Sequence, residues 1–134
     1  MNTCVFCQIV DRREPAEIVY EDDLCLVFLD KYPQTRGHLQ LIPKKHYSWI
    51  YEMPEMGQIF AVSGKLIRAI IPVLKADHVT LATFGRQVRH AHIWIVPQYL
   101  KEQEIHESAS HQSNWSDLSN LAGLLKEAIS KEVF

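Results

Sequence analysis

In the stretch VRHAHIWIVP, from Val88 to Pro97, polar or aromatic side chains alternate with aliphatic ones from His90 to Ile95. Successive side chains of a β-strand point to opposite faces, so this period of two predicts a strand over Val88–Pro97. A strand with one aliphatic face has to be covered by other elements, which places it in a sheet that packs on a core. One face then holds His90, His92, Trp94 and Val96, and the aliphatic face holds Ala91, Ile93 and Ile95.

Four more strands are predicted, each from a short hydrophobic run with turn residues beside it. The link KYPQTR between two of them is short, and short links favour antiparallel neighbours. Together with two helices, the strands predict one α+β domain over residues 1–134, built on an antiparallel five-stranded sheet. The four strands are Glu17–Tyr20, Leu24–Asp30, Gly37–Ile42 and His78–Phe84.

A long central helix is predicted over Pro54–Leu74, where aliphatic residues recur at steps of three and four. Pro54 suits the first helical turn, and Pro72 should end or kink the helix near its last turn. A polar segment, predicted to be a mobile surface loop, and a second amphipathic helix follow within residues 101–134. The predicted cap of that helix is Ser113, Asn114 or Ser116, and its apolar stripe is Leu118, Leu121, Leu125 and Ile129.

Composition limits the possible partners. The 134 residues suffice for one domain with a core, and 47% hydrophobic with 22% charged residues is the balance of a soluble globular protein. A net charge of -2 is not the excess of basic residues with which proteins bind nucleic acid or an anionic membrane, so neither is expected as a partner. The N-terminus does not have the pattern of a signal peptide, and no run of about 18 uninterrupted apolar residues occurs. A cytoplasmic location is therefore expected.

The three cysteines do not predict a disulfide framework, because their number is odd and no secretion signal accompanies them. Cys25 lies in the apolar run LCLVFL and is interpreted as a small core residue. Cys4 and Cys7 form a CxxC pair, which leaves a metal knuckle, a redox pair or two free thiols as alternatives. Nothing nearby resembles the thioredoxin-like unit in which a redox pair normally opens a helix.

His90 and His92 are the residues that most directly indicate chemistry. Side chains two positions apart on a strand project from one face at a spacing of about 7 Å, close enough to share one site. Two half-buried polar side chains on a solvated sheet face would give the same pattern. An HxH pair alone does not decide between these alternatives.

Three segments in order provide the context. GRQVRHAHIWIVP resembles the signature of the histidine-triad family, with Gly85, Val88, His90 and His92 at matching positions. FLDKYPQTRGHLQLIPKKH and CVFCQIVDRREPAEIVYEDD resemble the upstream stretches of the same family. The resemblance covers roughly residues 4 to 97, and a motif-bearing core of about 4–100 is assigned on it. It implies a HIT-like fold and a homodimer that uses the central helix.

The resemblance implies a nucleotidyl hydrolase or transferase, with a nucleotide or nucleotide conjugate as ligand. His92 matches the histidine that attacks the α-phosphate to give a nucleotidyl-histidine intermediate, and Asp30 matches the acidic residue that binds ribose hydroxyls. Without the resemblance, Asp30 would be interpreted as a turn residue and the nearby aromatic residues as core. Phe6 and Phe28 are expected to contact the nucleotide base, and His38 is expected beside the triad. The remaining nucleotide-binding residues are Thr80, Gly85, Gln87 and Val88, of which Gln87 would donate to the phosphate.

Trp94 stands where this family has its third histidine. An indole donates a hydrogen bond but cannot transfer a proton at neutral pH, and general-acid help contributes about 10²- to 10⁴-fold in rate. The alternative is therefore a nucleotide-binding or scaffold protein of this family with weak or no turnover.

The resemblance also implies a structural zinc ion. In many bacterial members zinc is held by two such cysteines, a histidine of the IPKKH stretch and the first triad histidine. The matching residues are Cys4, Cys7, His46 and His90. A zinc-stabilised interaction module is a third possible function, which rests on this set alone.

Overall fold

The computed structural model describes residues 3–100 and 115–132. Within them the chain forms three α-helices, one 3-10 helix and five strands. In chain order these are α1 (Val5–Val10), β1 (Ile18–Glu21), β2 (Cys25–Leu29), β3 (Leu39–Pro43), the 3-10 helix Ile50–Glu52, α2 (Met56–Leu74), β4 (His78–Ala82), β5 (Ile93–Gln98) and α3 (Trp115–Ser130).

The strands form one antiparallel sheet in the order β1-β2-β3-β5-β4. The predicted α+β fold with a five-stranded antiparallel sheet, a long helix and a C-terminal helix is confirmed. β2 and β3 are buried at every position, because each face of the sheet is covered. The turn between them contains Gly37 at a φ of +88°, a conformation that other residues rarely adopt.

The two faces of the sheet carry different cores. The larger core joins one face to α2 and α3, and it includes Val27, Leu41, Ile93 and Ile95. The smaller core lies on the opposite face, where α1 covers the centre of β2 and β3. Its members are Phe6, Ile9, Leu26, Phe28 and Ile42.

The predicted strand Val88–Pro97 has the right alternation and the wrong start. Its ladder with β3 begins only at Ile93, because the amide of Ala91 donates to the carbonyl of Tyr47 (2.6 Å) outside the sheet. Ala91, Ile93 and Ile95 all lie in the larger core, as the period of two predicts. The periodicity of the sequence indicates the direction in which side chains face. The start of the hydrogen-bonded ladder depends instead on where a neighbouring strand lies beside the backbone.

The helix predictions need three corrections. α1 was not predicted, because six residues are too few to show a helical period. The central helix begins at Met56, with Pro54 in the turn before it, and Pro72 lies in its last turn before Lys75. α3 begins at Trp115 and has Ser116 inside it, so a cap at Ser116 is wrong. The other proposed caps, Ser113 and Asn114, and the polar loop lie outside the described residues.

Among the described residues, α2 is the one helix with the length and apolar composition of a membrane span. A core helix of a soluble protein meets the same criteria. One side of α2, with Ile59, Leu66 and Ile70, is fully buried in the larger core. An adjoining stripe with Ile67 and Ile71 is only half-buried.

Replacing Gly37 tests the turn between β2 and β3. A Cβ at Gly37 would lie 2.7 Å from Cδ1 of Leu74, and the residue has a left-handed backbone. We expect Gly37→Ala to lower the free energy of unfolding by about 1 to 3 kcal/mol. Gly123→Ala is the control, because a Cβ there meets nothing within 4 Å. This substitution should raise the free energy of unfolding by about 0.5 to 1 kcal/mol. Urea unfolding measures both, and equal effects would contradict the strain at Gly37.

Candidate functional site

His92 is held in one orientation at the wall of a cavity. Its Nδ1–H donates to the carbonyl oxygen of His90 (2.8 Å), and its own carbonyl accepts from the hydroxyl of Thr83 (2.6 Å). Because a carbonyl only accepts, Nδ1 carries the proton and Nε2 keeps a free lone pair. Burial lowers the pKa of His92, against the effect of the hydrogen bond to His90 and the charge of Asp30. The ring is therefore neutral, and it lines the cavity with the chemical properties that a nucleophile needs.

The cavity has a volume of about 1110 Å³ and lies on the α1 face of the sheet. Ligand sites commonly measure about 300 to 1000 Å³, so this one has room for a nucleotide and a further group. Most of the predicted nucleotide site lines it. These residues are Phe6, Phe28, Asp30, Gly85, Gln87, Val88, His92 and Trp94.

Two predicted site residues do not line the cavity. Thr80 is exposed on β4, where its hydroxyl accepts from Nε2 of Gln98 (3.3 Å). His38 is fully buried behind Trp94, with the two ring centres 4.7 Å apart. Burial lowers the pKa of His38 to about 4, against the charge of Asp30, so the ring is neutral near pH 7. Its Nδ1 accepts from the amide of Gln34 (3.0 Å), which fixes the ring behind the wall.

Asp30 lies at the rim of the cavity in a fixed orientation. One carboxylate oxygen accepts from the amide of Tyr32 (2.8 Å) and the other accepts from Nε2 of Gln40 (2.9 Å). Each oxygen has a further lone pair with which it can accept a hydrogen bond from a hydroxyl. Gln40 was missed by the sequence analysis, although it is the one polar residue of the buried strand LQLIP. A polar side chain in such a strand is a usable signal, because its burial needs a partner.

Aromatic rings stand on both sides of His92. Phe6 contacts His92 edge-on with centroids 5.5 Å apart and packs on Phe28 at 5.7 Å. On the other side, Phe84 packs edge-on against Trp94 at 5.0 Å. Phe84 follows β4 and lines the cavity, and its place there was not predicted from the sequence.

Trp49 is a further missed residue of the cavity wall, and it explains Gly85. A Cβ at Gly85 would overlap the six-membered ring of Trp49. Gly85, a predicted residue of the nucleotide site, therefore lets a protein ring pack closely against the backbone. Nothing local in the sequence could have paired Trp49 with Gly85, because the two meet only after folding.

Cys4, Cys7, His46 and His90 meet beside this cavity, and their ligating atoms all lie within 4.8 Å of one another. Nδ1 of His90 lies 3.4 Å from each cysteine Sγ and 3.2 Å from Nδ1 of His46, which is 3.2 Å from Sγ of Cys7. In a tetrahedral site with Zn–S of about 2.3 Å and Zn–N of about 2.0 Å, ligand atoms are roughly 3.3 to 3.8 Å apart. The cluster therefore has the spacing of a closed four-ligand metal site.

The surroundings of the cluster support metal binding. The Nε2–H of His90 donates to the carbonyl of Pro43 (2.8 Å), which leaves Nδ1 free as a ligand. Burial lowers the pKa of His90 to about 4, so the ring is neutral as a ligand must be. Cys4 caps α1, where its Sγ accepts from the amide of Cys7 (3.4 Å). The CxxC pair opens α1, but among the described residues no strand precedes this helix as it would in a thioredoxin-like unit.

Comparison with known proteins gives one consistent result. The sequence profile of the HIT domain matches residues 11–101. An uncharacterized HIT-like protein of Methanocaldococcus jannaschii is 34% identical over 76% of this chain and 84% of its own. An adenylylsulfatase of Arabidopsis thaliana is 36% identical over 72% of this chain and 53% of its own. The crystal structure of a Zn-bound histidine triad family protein from Mycobacterium smegmatis is 32% identical, covers 96% of this chain and 94% of that chain, and superposes with a TM-score of 0.82.

Proposed function

Because the chain belongs to the histidine-triad (HIT) family, we propose that it is a nucleotidyl hydrolase or transferase with His92 as its nucleophile. Proteins of this family are generally nucleotide-binding hydrolases or transferases. The observation that carries the proposal is the hydrogen bond from Nδ1 of His92 to the His90 carbonyl, which leaves Nε2 free at the cavity. The similar plant protein named an adenylylsulfatase supports reaction at the phosphate of an adenylyl group.

The proposed reaction has two steps. Nε2 of His92 bonds to the α-phosphorus of the nucleotide, and the bond from phosphorus to the leaving group breaks with its electron pair on the leaving group. Water or another acceptor then breaks the new P–N bond and frees the nucleotide. The His90 carbonyl stabilises the charge that the ring acquires, since it accepts the hydrogen bond from Nδ1 in both steps.

The nucleotide is proposed to lie along the α1 side of the cavity. Phe6 and Phe28 offer apolar faces for the base, and the oriented carboxylate of Asp30 can accept hydrogen bonds from the ribose hydroxyls. Gln87 and Arg86 line the cavity on the segment before His92 and supply donors for phosphate oxygens. This arrangement leaves the α-phosphate beside His92.

Trapping the covalent intermediate tests this function. On brief incubation with adenosine 5′-phosphosulfate, whose sulfate departs as an anion, and a quench in alkaline denaturant, mass spectrometry should find an AMP adduct on His92. His92→Ala should abolish both the adduct and AMP release, because no other described histidine lines the cavity. His78→Ala is the matched control, since His78 is exposed on β4 and pairs with Asp77. An adduct that persists in His92→Ala would remove the proposed mechanism.

Trp94 supports a second candidate, a nucleotide-binding protein of this family with weak or no turnover. Trp94 lines the cavity two residues after His92 and cannot give a proton to a leaving group. Calorimetric titration with AMP and the trapping experiment separate the two candidates. Binding of AMP without an adduct or release would favour the second.

We further propose that the Cys/His cluster holds a structural zinc ion, as in the similar Zn-bound protein of Mycobacterium smegmatis. With four protein ligands the site leaves no open position, so the ion would stabilise α1 and take no part in the chemistry. Protein purified without added metal should contain about one zinc per chain by elemental analysis. Cys4→Ser should lower that content, whereas Cys25→Ala should keep it, because Cys25 is buried outside the cluster. A purified protein that contains no metal, and whose stability is unchanged by a chelator, would contradict this site.

A homodimer through α2 is the remaining proposal. Phe60, Ile67 and Ile71 form one half-exposed apolar stripe beside the buried face of α2. Light scattering at micromolar concentration should give twice the 15.5 kDa of one chain. Ile67→Glu should give a monomer, while Leu124→Glu, on the exposed side of α3, should remain a dimer. A monomeric unmodified protein at that concentration would count against the interface.

A further inference from the structure

Two opposite charges stand at the Phe28 end of the cavity, where the reaction as proposed gives them no role. They are the carboxylate of Glu14 and the ammonium of Lys31, and both residues line the cavity. We call them the base-end ion pair. Their charged atoms lie 3.6 Å apart, farther than the 2.7 to 2.9 Å or so of a charge-assisted hydrogen bond. The two side chains are 32% and 37% exposed, so a ligand in the cavity can reach both charges.

The base-end ion pair lies at the far corner of the cavity from His92. β2 and β5 run in the same direction two strands apart, because both are antiparallel to β3. His92 precedes β5 whereas Lys31 follows β2, so these two residues lie at opposite ends of the sheet. Glu14 belongs to the segment before β1, on the outer side of β2. The pair is therefore separated from His92 both along and across the strands.

The order of the binding groups sets the direction of a nucleotide in the cavity. Gln40 holds the carboxylate of Asp30 toward β3, so the ribose is expected between the α-phosphate at His92 and the base on Phe28. A purine joins the ribose through its five-membered ring, which turns its six-membered ring outward. The Watson–Crick edge of that ring then faces the base-end ion pair.

The base-end ion pair is complementary to the Watson–Crick edge of guanine. Guanine presents two adjacent donors, N1–H and the N2 amino group, beside the acceptor O6. A carboxylate accepts two parallel N–H bonds and an ammonium only donates, so Glu14 can accept from N1 and N2 while Lys31 donates to O6. Adenine presents one donor, its N6 amino group, beside the acceptor N1. The carboxylate would accept one bond from adenine instead of two.

Resting on the proposed function, we infer that the protein selects guanine nucleotides, with Glu14 and Lys31 as the residues that recognise the base. The surface expected under the base is apolar and consists of Phe6, Ile9, Ala16 and Phe28. Apolar contacts distinguish poorly between two purines of similar size, so the base-end ion pair has to make the distinction. The base takes no part in bond breaking at the α-phosphate. Selection at this end therefore acts on binding and leaves the chemistry of His92 unchanged.

Calorimetric titration with GMP, IMP and AMP tests the inference, because IMP has O6 and N1–H but lacks the N2 amino group. Contacts to partly exposed charges count at the lower end of the range for base recognition, so GMP should bind about five- to tenfold tighter than AMP, with IMP between them. Glu14→Gln should bring GMP and IMP to similar affinity, since an amide nitrogen cannot accept a hydrogen bond. Lys31→Met should weaken both by the same factor and keep their ratio, since both present O6.

Glu127→Gln is the matched control. Glu127 forms a similar pair with Lys131 (3.7 Å) on α3, where both side chains are exposed and neither residue lines the cavity. This substitution should leave the three affinities unchanged.

The outcomes separate this inference from the proposed function. Equal affinities for GMP, IMP and AMP, or a preference for AMP, would overturn the inference and leave the proposed function standing. If none of the three bound, the proposed function would be wrong as well. A preference for GMP that persisted in both Glu14→Gln and Lys31→Met would overturn the role of the base-end ion pair. Because the experiment measures binding, it applies equally to a protein with weak or no turnover.

Discussion

The hydrogen bond from Nδ1 of His92 to the carbonyl of His90 is the constraint around which the site is organised. It selects one tautomer of His92 and leaves Nε2 for the cavity. His90 itself is fixed by its bond to the carbonyl of Pro43, which also directs Nδ1 toward the two cysteines and His46. One short stretch of backbone thus positions a candidate nucleophile on one side and a candidate metal ligand on the other.

α1 links these two sites physically. Cys4 caps this helix and Cys7 lies in its first turn, so both cysteine ligands depend on its position. Phe6, between them in sequence, contacts His90 and His92 and forms a wall of the cavity. A six-residue helix is marginal by itself, so its packing and a bound ion together would determine its order. The geometry of the cavity is therefore coupled to the cluster, and His90 belongs to both sites, since its carbonyl accepts the hydrogen bond from Nδ1 of His92.

Trp94 is the residue at which the cavity departs from the histidine triad of the family. It packs between His38 and Phe84, so it has the fixed surroundings of a structural residue while it lines the cavity. A ring in that place supplies apolar surface and a hydrogen-bond donor where a proton donor would otherwise stand.

The sequence by itself was sufficient for the α+β class, the order of most elements and the family, because these depend on periodicity and on residues that are close in the chain. Through the family resemblance it also predicted the four members of the Cys/His cluster, and most of the predicted site residues line the cavity. The structure alone decided that the β5 ladder starts at Ile93, that Gln40 orients Asp30, and that Trp49 occupies the space above Gly85. It also placed Thr80 and His38 outside the cavity. These features depend on contacts between segments far apart in the chain, and a local pattern states which face a side chain is on but not what it meets there.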